Sequence, residues 1–130
     1  MSVPLPPESY AFFDDQNFAT LATVEPDGRP QLSVVWIRRD GDDLLVSTVA
    51  GRRKHRNLVA DPRATVLVYD RDDPYSYVEV RGTVTMTEQG GRELIDELSG
   101  KYNGVTPFPG DRPDAVRVVV RITPVKVVLY

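Results

Sequence analysis

Residues 18–49, "FATLATVEPDGRPQLSVVWIRRDGDDLLVSTV", place two Asp-Gly turn signals, "PDGRP" and "RDGDD", inside an almost unbroken β-forming stretch. Asp-Gly between runs of Val, Leu, Ile and Thr is the strongest short-range signal for a hairpin. Strands joined by such short turns are antiparallel neighbours, because a parallel crossover needs a dozen or more residues. The segment therefore reads as three antiparallel strands, with imperfect alternation of apolar and polar positions.

The rest of the chain continues in kind. "ATVLVYD" and "YVEVRGTVTMT" are two further strands around the loop "RDDPYS", and "AVRVVVRITPVKVVLY" is one long or two short strands, with Pro124 at a bend or an edge. Helices punctuate this pattern. "PESYAFFDD" (7–15) starts with a proline and an acid, both suited to a first turn. Residues 52–60 form a short helix stopped by Asp61-Pro62, and residues 89–102 carry Leu94, Ile95, Leu98 and Tyr102 at helical spacing. "NGVTPFPGDRP" is a loop. The expected class is α+β, mainly β: a six- to seven-stranded antiparallel barrel with short flanking helices, in one domain over residues 1–130.

Composition narrows the chemistry. There is no cysteine, which removes disulfides, thiolate metal sites and cysteine nucleophiles. One histidine leaves a zinc site dependent on several carboxylates, so no metal is expected. Neither a GxGxxG after a strand nor a GxxxxGK[ST] occurs. A Ser-His-Asp triad could use only His55, which lies among cations that would repel an imidazolium. His55 reads instead as a surface or helix-packing residue. No apolar run is long enough to span a membrane, and "MSVPLPPESY" does not read as a signal peptide, so a cytoplasmic protein is expected.

The exception to this quiet background is "STVAGRRKHRNL" (47–58). Four of the 16 basic residues, Arg52, Arg53, Lys54 and Arg56, fall within five positions. Without them the formal net charge would be −7 rather than −3, with 12 basic residues against 19 acidic. A nucleic-acid binder spreads positive charge over a broad face, so no nucleic-acid partner is expected. A local patch at the start of a helix suits a small anion. The first N–H groups of the helix are free there, its positive end repels cations, and an anion relieves both. The Ser47 or Thr48 hydroxyl, Arg52 and Lys54 could converge on a phosphate. The competing reading is a solvated charged face neutralised by nearby acids.

The order of "FATLATVEPDGRPQLSVVW", "LLVST", "GRRKHRNLVADPRATVLV" and "DPYSYVEVRGTV" resembles the split β-barrel flavin and deazaflavin proteins of the pyridoxamine-phosphate-oxidase-like superfamily. Within it, the short branch that uses the deazaflavin coenzyme F420 is the most similar. The resemblance covers about Phe18 to Val84, roughly half the chain. It implies a homodimer with two cofactor sites at the interface. It also implies cofactor contacts from Ser47 and Thr48, anion ligands at Arg52, Lys54 and Arg56, and ring or linker contacts from Gln31 and Ser33. Tyr75, supplied by the partner subunit, would cover the ring. Trp36 continues the Leu32/Val34 face and is expected in the core.

The activity so implied is hydride transfer from reduced F420 to a small unsaturated or quinone-like substrate. The chemistry then belongs to the cofactor, which accounts for the lack of an acid–base pair. Product protonation could come from a tyrosine, Lys54 or solvent. The same fold with FMN as an oxidase or reductase is the first alternative, since both cofactors carry a phosphate. F420 adds an acidic polyglutamate tail for which Arg53 and Arg56 would be useful. A non-catalytic cofactor- or haem-binding protein is the second alternative.

Overall fold

The computed structural model describes residues 1–130. Seven strands form one antiparallel sheet: β1 (Ala19–Val24), β2 (Pro30–Val35), β3 (Arg38–Asp40), β4 (Asp43–Val49), β5 (Arg63–Asp70), β6 (Asp73–Thr87) and β7 (Arg117–Leu129). Their order is β2-β1-β5-β6-β7-β4-β3. The long strands β6 and β7 carry the closure. β7 pairs with β4 through residues 117–122 and with β6 through residues 119–129. The two edges, β2 and β3, do not pair with each other, so the barrel is split between them. Three helices flank the sheet: α1 (Tyr10–Asp14) after a 3₁₀ turn at Pro7–Ser9, α2 (Arg53–Ala60), and α3 (Gly91–Asn103).

The turn predictions hold where Asp-Gly stands. Gly28, at φ +89°, closes β1–β2, with the Gly28 N–H on the Glu25 carbonyl at 2.8 Å. The region read as three strands contains four, because the chain breaks at Trp36-Ile37 before the short β3. The expected loop 71–76 is mostly strand: β6 begins at Asp73, and Pro74 sits near its start, where a missing N–H is tolerated. A register shift at Tyr69/Asp70 absorbs the extra residues. Pro124 does not divide the last strand. It sits opposite Gly82 at a bulge, and a Cβ on Gly82 would lie 2.6 Å from the Thr123 carbonyl oxygen.

Seventeen buried residues make the main core, among them Phe13, Leu21, Ile37, Val46, Leu58, Val66, Val80 and Ile122. Each such side chain contributes about 1.5–3 kcal/mol of burial free energy. A second, smaller cluster lies under α3: Leu45, Leu94, Leu98 and Val119, with Trp36 and Tyr102 packed against it. Trp36 stacks on Tyr102 at 5.4 Å and meets Phe108 edge-on at 6.0 Å. The expected Leu32/Val34/Trp36 core face is corrected here. Leu32 and Val34 are 62% and 72% exposed, because β2 is an edge strand whose other face, ending in Val35, turns inward. Trp36 is half-buried in the smaller cluster instead.

The C-terminal end of α3 ties these parts together. The Tyr102 hydroxyl donates to the Asn17 carbonyl at 2.6 Å and accepts the Ile37 N–H at 3.2 Å. The Lys101 ammonium donates to the carbonyls of Phe13 and Ile37. Burial lowers the Lys101 pKa and raises that of Tyr102, so both polar groups depend on these bonds.

Candidate functional site

β4 delivers Ser47 and Thr48 to the foot of α2 on opposite faces of the sheet, as strand alternation requires. Thr48 faces the interior: it is fully buried and its hydroxyl has no hydrogen-bond partner. Ser47 is half-buried and faces a cleft of about 180 Å³. Its other walls include Arg52 and Lys54 from the start of α2, Arg117 from the start of β7, Val34 to Trp36 from the end of β2, Ile95 and Leu98 of α3, and Phe108. Of the two hydroxyls expected near an anion, only the Ser47 side chain reaches the cleft.

The start of α2 has an unusual charge arrangement. Its first turn contains no acid and no side chain caps it. Acids ordinarily occupy that end, where the helix dipole is positive. Gly51 precedes it, and its N–H donates to His55 Nδ1 at 3.1 Å, which secures the bend between β4 and α2. His55 thus packs its own helix start, as expected. Arg53 pairs with Glu25 at 3.2 Å and is occupied there. Arg52 and Lys54 have neither a carboxylate within 4.0 Å nor a side-chain hydrogen bond. Burial lowers the Lys54 pKa, and the neighbouring Arg52 and Arg117 charges lower it further.

The remaining expected residues lie elsewhere. Arg56 borders a separate groove beside Glu25, Asn57 and Asp61. It follows Lys54 by two positions, about 200° around a helix, so the two cations point to opposite sides. Gln31 is half-buried and engaged elsewhere: Thr23 Oγ1 donates to Gln31 Oε1 at 2.7 Å and accepts from the buried Asn57 Nδ2 at 3.1 Å, which pins α2 to β1 and β2. The Ser33 hydroxyl is buried without a partner and does not line the cleft. Tyr75 is 85% exposed at the β5–β6 hairpin, at the opposite end of β6 from the residues that pair near Arg117. One chain does not bring it to the cleft.

Sequence reading passed over Arg117 and Asp111. The Arg117 side chain is 7% exposed, and its Nε and Nη2 donate to the two Asp111 carboxylate oxygens at 2.8 and 2.6 Å. Its Nη1 donates to Ser47 Oγ at 3.3 Å. The Arg117 hydrogen bonds hold the Asp111 carboxyl below its ordinary pKa. The available signal was Arg117 at the start of the apolar run "AVRVVV", since a buried guanidinium must have a partner. No three His, Asp or Glu side chains converge as a metal site, and no helix is long and apolar enough to cross a membrane.

A bidentate-clamped arginine, two unpaired cations and a serine at a strand-to-helix bend can hold an anionic group of phosphate size. The pyridoxamine 5'-phosphate oxidase profile matches residues 5–130. The chain belongs to this family. Among solved structures, one named F420 reductase is similar at 34% identity, covering 97% of this chain and 98% of its own, with a TM-score of 0.82. A conserved hypothetical protein from Mycobacterium tuberculosis is similar at 26% identity, covering 99% of this chain and 86% of its own, with a TM-score of 0.80. HupZ of Group A Streptococcus shares the fold at 15% identity, with a TM-score of 0.71 over 96% and 93% of the two chains. The split-barrel expectation from sequence thus holds for this pyridoxamine 5'-phosphate oxidase family member.

Proposed function

We propose that this chain is an F420-dependent oxidoreductase acting as a homodimer on a small unsaturated or quinone-like substrate. The observation that carries this reading is the pair of unpaired cations, Arg52 and Lys54, beside Ser47 in a cleft that fits only one end of a cofactor. Small-molecule sites enclose about 300–1,000 Å³. At about 180 Å³ this cleft suits a phosphate and its linker but not a tricyclic ring. The cleft opens past Val34, one of the exposed apolar residues of the edge strand β2. A ring lying there, covered by a second subunit, would complete the enclosure and bury Leu32 and Val34. The likeness at 34% identity to the structure named F420 reductase supports the deazaflavin form.

When bound, the reduced deazaflavin supplies a hydride to an electron-poor acceptor. The residues of the chain position and protect. Arg52, Lys54 and Ser47 bind the phosphate, and Val34, Trp36 and Phe108 line the apolar side of the cleft and exclude water there. The fit rests on the donor set itself: cationic and hydroxyl donors with no acceptor of their own facing the cleft.

The test is single-turnover oxidation of reduced F420, followed by return of the oxidised cofactor's absorbance, across a panel of quinones and unsaturated ketones. The reading predicts acceptor-dependent oxidation that Lys54→Ala slows through weaker cofactor binding. No oxidation with any acceptor, alongside turnover with reduced FMN, would replace it with flavin chemistry.

A further inference from the structure

We propose that Arg117, clamped by Asp111, completes the anion site by fixing Ser47 as a hydrogen-bond donor and adding a third, buried positive charge. This rests on the reading of the cleft as an anion site.

A guanidinium has five N–H donors. Arg117 places two on Asp111 and one on Ser47 Oγ, and no other acceptor takes the remaining two. A side chain this buried does not ordinarily leave donors unused. Arg117 lines the same cleft as Arg52 and Lys54, so its spare donors have an anion's oxygens as natural partners.

A serine hydroxyl has one proton and two acceptor lone pairs. Arg117 takes a lone pair, so the hydroxyl proton is left for a different acceptor. The other polar side chains lining the cleft are the cations Arg52 and Lys54, which accept nothing. The Ser47 proton therefore suits a ligand rich in acceptors, which is what a phosphate is.

Asp111 explains how a third cation is tolerated beside two unpaired ones. Its carboxylate spans Nε and Nη2 of Arg117 in the bidentate geometry that fixes a guanidinium in its plane. Arg92 reaches the same carboxylate at 3.3 Å. The Phe108 ring lies 5.1 Å from the Arg117 guanidinium, and the Phe108 N–H is held by Asp96 at 2.8 Å. The 104–114 segment thus acts as a clamp that keeps Arg117 aimed at Ser47.

The experiment compares wild type with Ser47→Ala, Arg117→Lys, Asp111→Asn combined with Arg117→Met, and the triple variant. The paired change removes both buried charges together, so neither is stranded. Ser47→Ala keeps the clamp and serves as the folding-safe variant. Two readouts are used: F420 affinity by fluorescence titration, and the rise in Tm given by inorganic phosphate. Ser47→Ala and the paired variant should each weaken binding by about tenfold or more, since each removes a hydrogen bond to a charged group. The triple variant should be little weaker than the paired one, because Ser47 donates productively only when Arg117 holds it. Arg117→Lys should recover part of the loss, keeping the charge without the fork. Unchanged affinity and phosphate protection in folded variants, or fully additive losses, would overturn the proposal and leave the cofactor reading standing. Phosphate protection that is lost in the variants, with no F420 binding by wild type, would support it and overturn the cofactor reading. Wild type that responds to neither probe would overturn both.

Discussion

Replacing Lys54 with methionine should move stability and binding in opposite directions. Lys54 is the second residue of α2, at the positive end of the helix, beside Arg52 and Arg117, and it has no acceptor. A cation so placed costs about 0.3–1 kcal/mol in the ligand-free protein. Lys54→Met removes that cost and keeps the apolar stem that lies half-buried in the cleft wall. For a chain of this size, a gain of 1 kcal/mol corresponds to about 4 °C in Tm, so the expected rise is roughly 1–4 °C. The bound state loses a hydrogen bond between charged groups, about 1.5–3 kcal/mol. That is a weakening of F420 binding by roughly 10- to 150-fold. The assay is thermal unfolding with and without F420, plus a fluorescence titration at low and high salt. Added salt should raise the Tm of the ligand-free wild type more than that of the variant, because screening already relieves the repulsion. A lower Tm together with unchanged affinity would instead make Lys54 an ordinary solvated side chain with no ligand to hold.

Other consequences are equally open to measurement. Gly91→Ala would put a Cβ 2.2 Å from the Arg117 carbonyl oxygen, and both are backbone-fixed. It should cost at least about 1–3 kcal/mol by chemical denaturation and weaken cofactor binding, because α3 must move off the strand that carries Arg117. Thr48→Val should leave stability unchanged or raise it by up to about 1 kcal/mol, since the hydroxyl it removes is buried without a partner. The lowered Asp111 pKa means that its contribution is full above the ordinary aspartate range and is lost as pH falls through the folded-state value. Acid unfolding below about pH 4 should therefore be shallower in the Asp111→Asn, Arg117→Met pair than in wild type. The lowered Lys54 pKa predicts proton uptake when an anion binds at alkaline pH. Affinity should fall as pH rises toward the usual lysine value of 10.5, and the fall should be absent in Lys54→Met.

The sheet was legible because its turns are chemically explicit. Gly28 and Gly41 adopt positive φ, at +89° and +61°, where the Asp-Gly signals stand. Leu94, Ile95 and Leu98 are buried as their spacing implies. Other features depend on tertiary context. Alternation in "PQLSVV" defines two faces but does not say which is inward, and at an edge strand the more apolar-looking one is solvent-facing in a single chain. Pro74 read as loop because a proline is excluded from central pairing, yet it is tolerated near a strand's start.

The site was legible where it is local. Ser47, Arg52 and Lys54 come from one strand–turn–helix segment, and they meet in one cleft. Arg56 belonged to the same run of charge but not to the same helix face. The Asp111–Arg117 clamp depends on how a loop of prolines and glycines folds back on β7, and no local rule fixes that path. Tyr75 stands far from the cleft within one chain, so its expected role needs the second subunit.

The reading that the cleft at Ser47, Arg52 and Lys54 holds the phosphate end of F420 is open to direct measurement. Its most direct test is equilibrium titration of the full-length wild-type protein with F420 and, in parallel, with FMN, each followed by cofactor fluorescence. Saturable binding of F420 at one equivalent per chain, tighter than FMN, is expected. Preferential FMN binding, or no saturable binding of either cofactor, would contradict it.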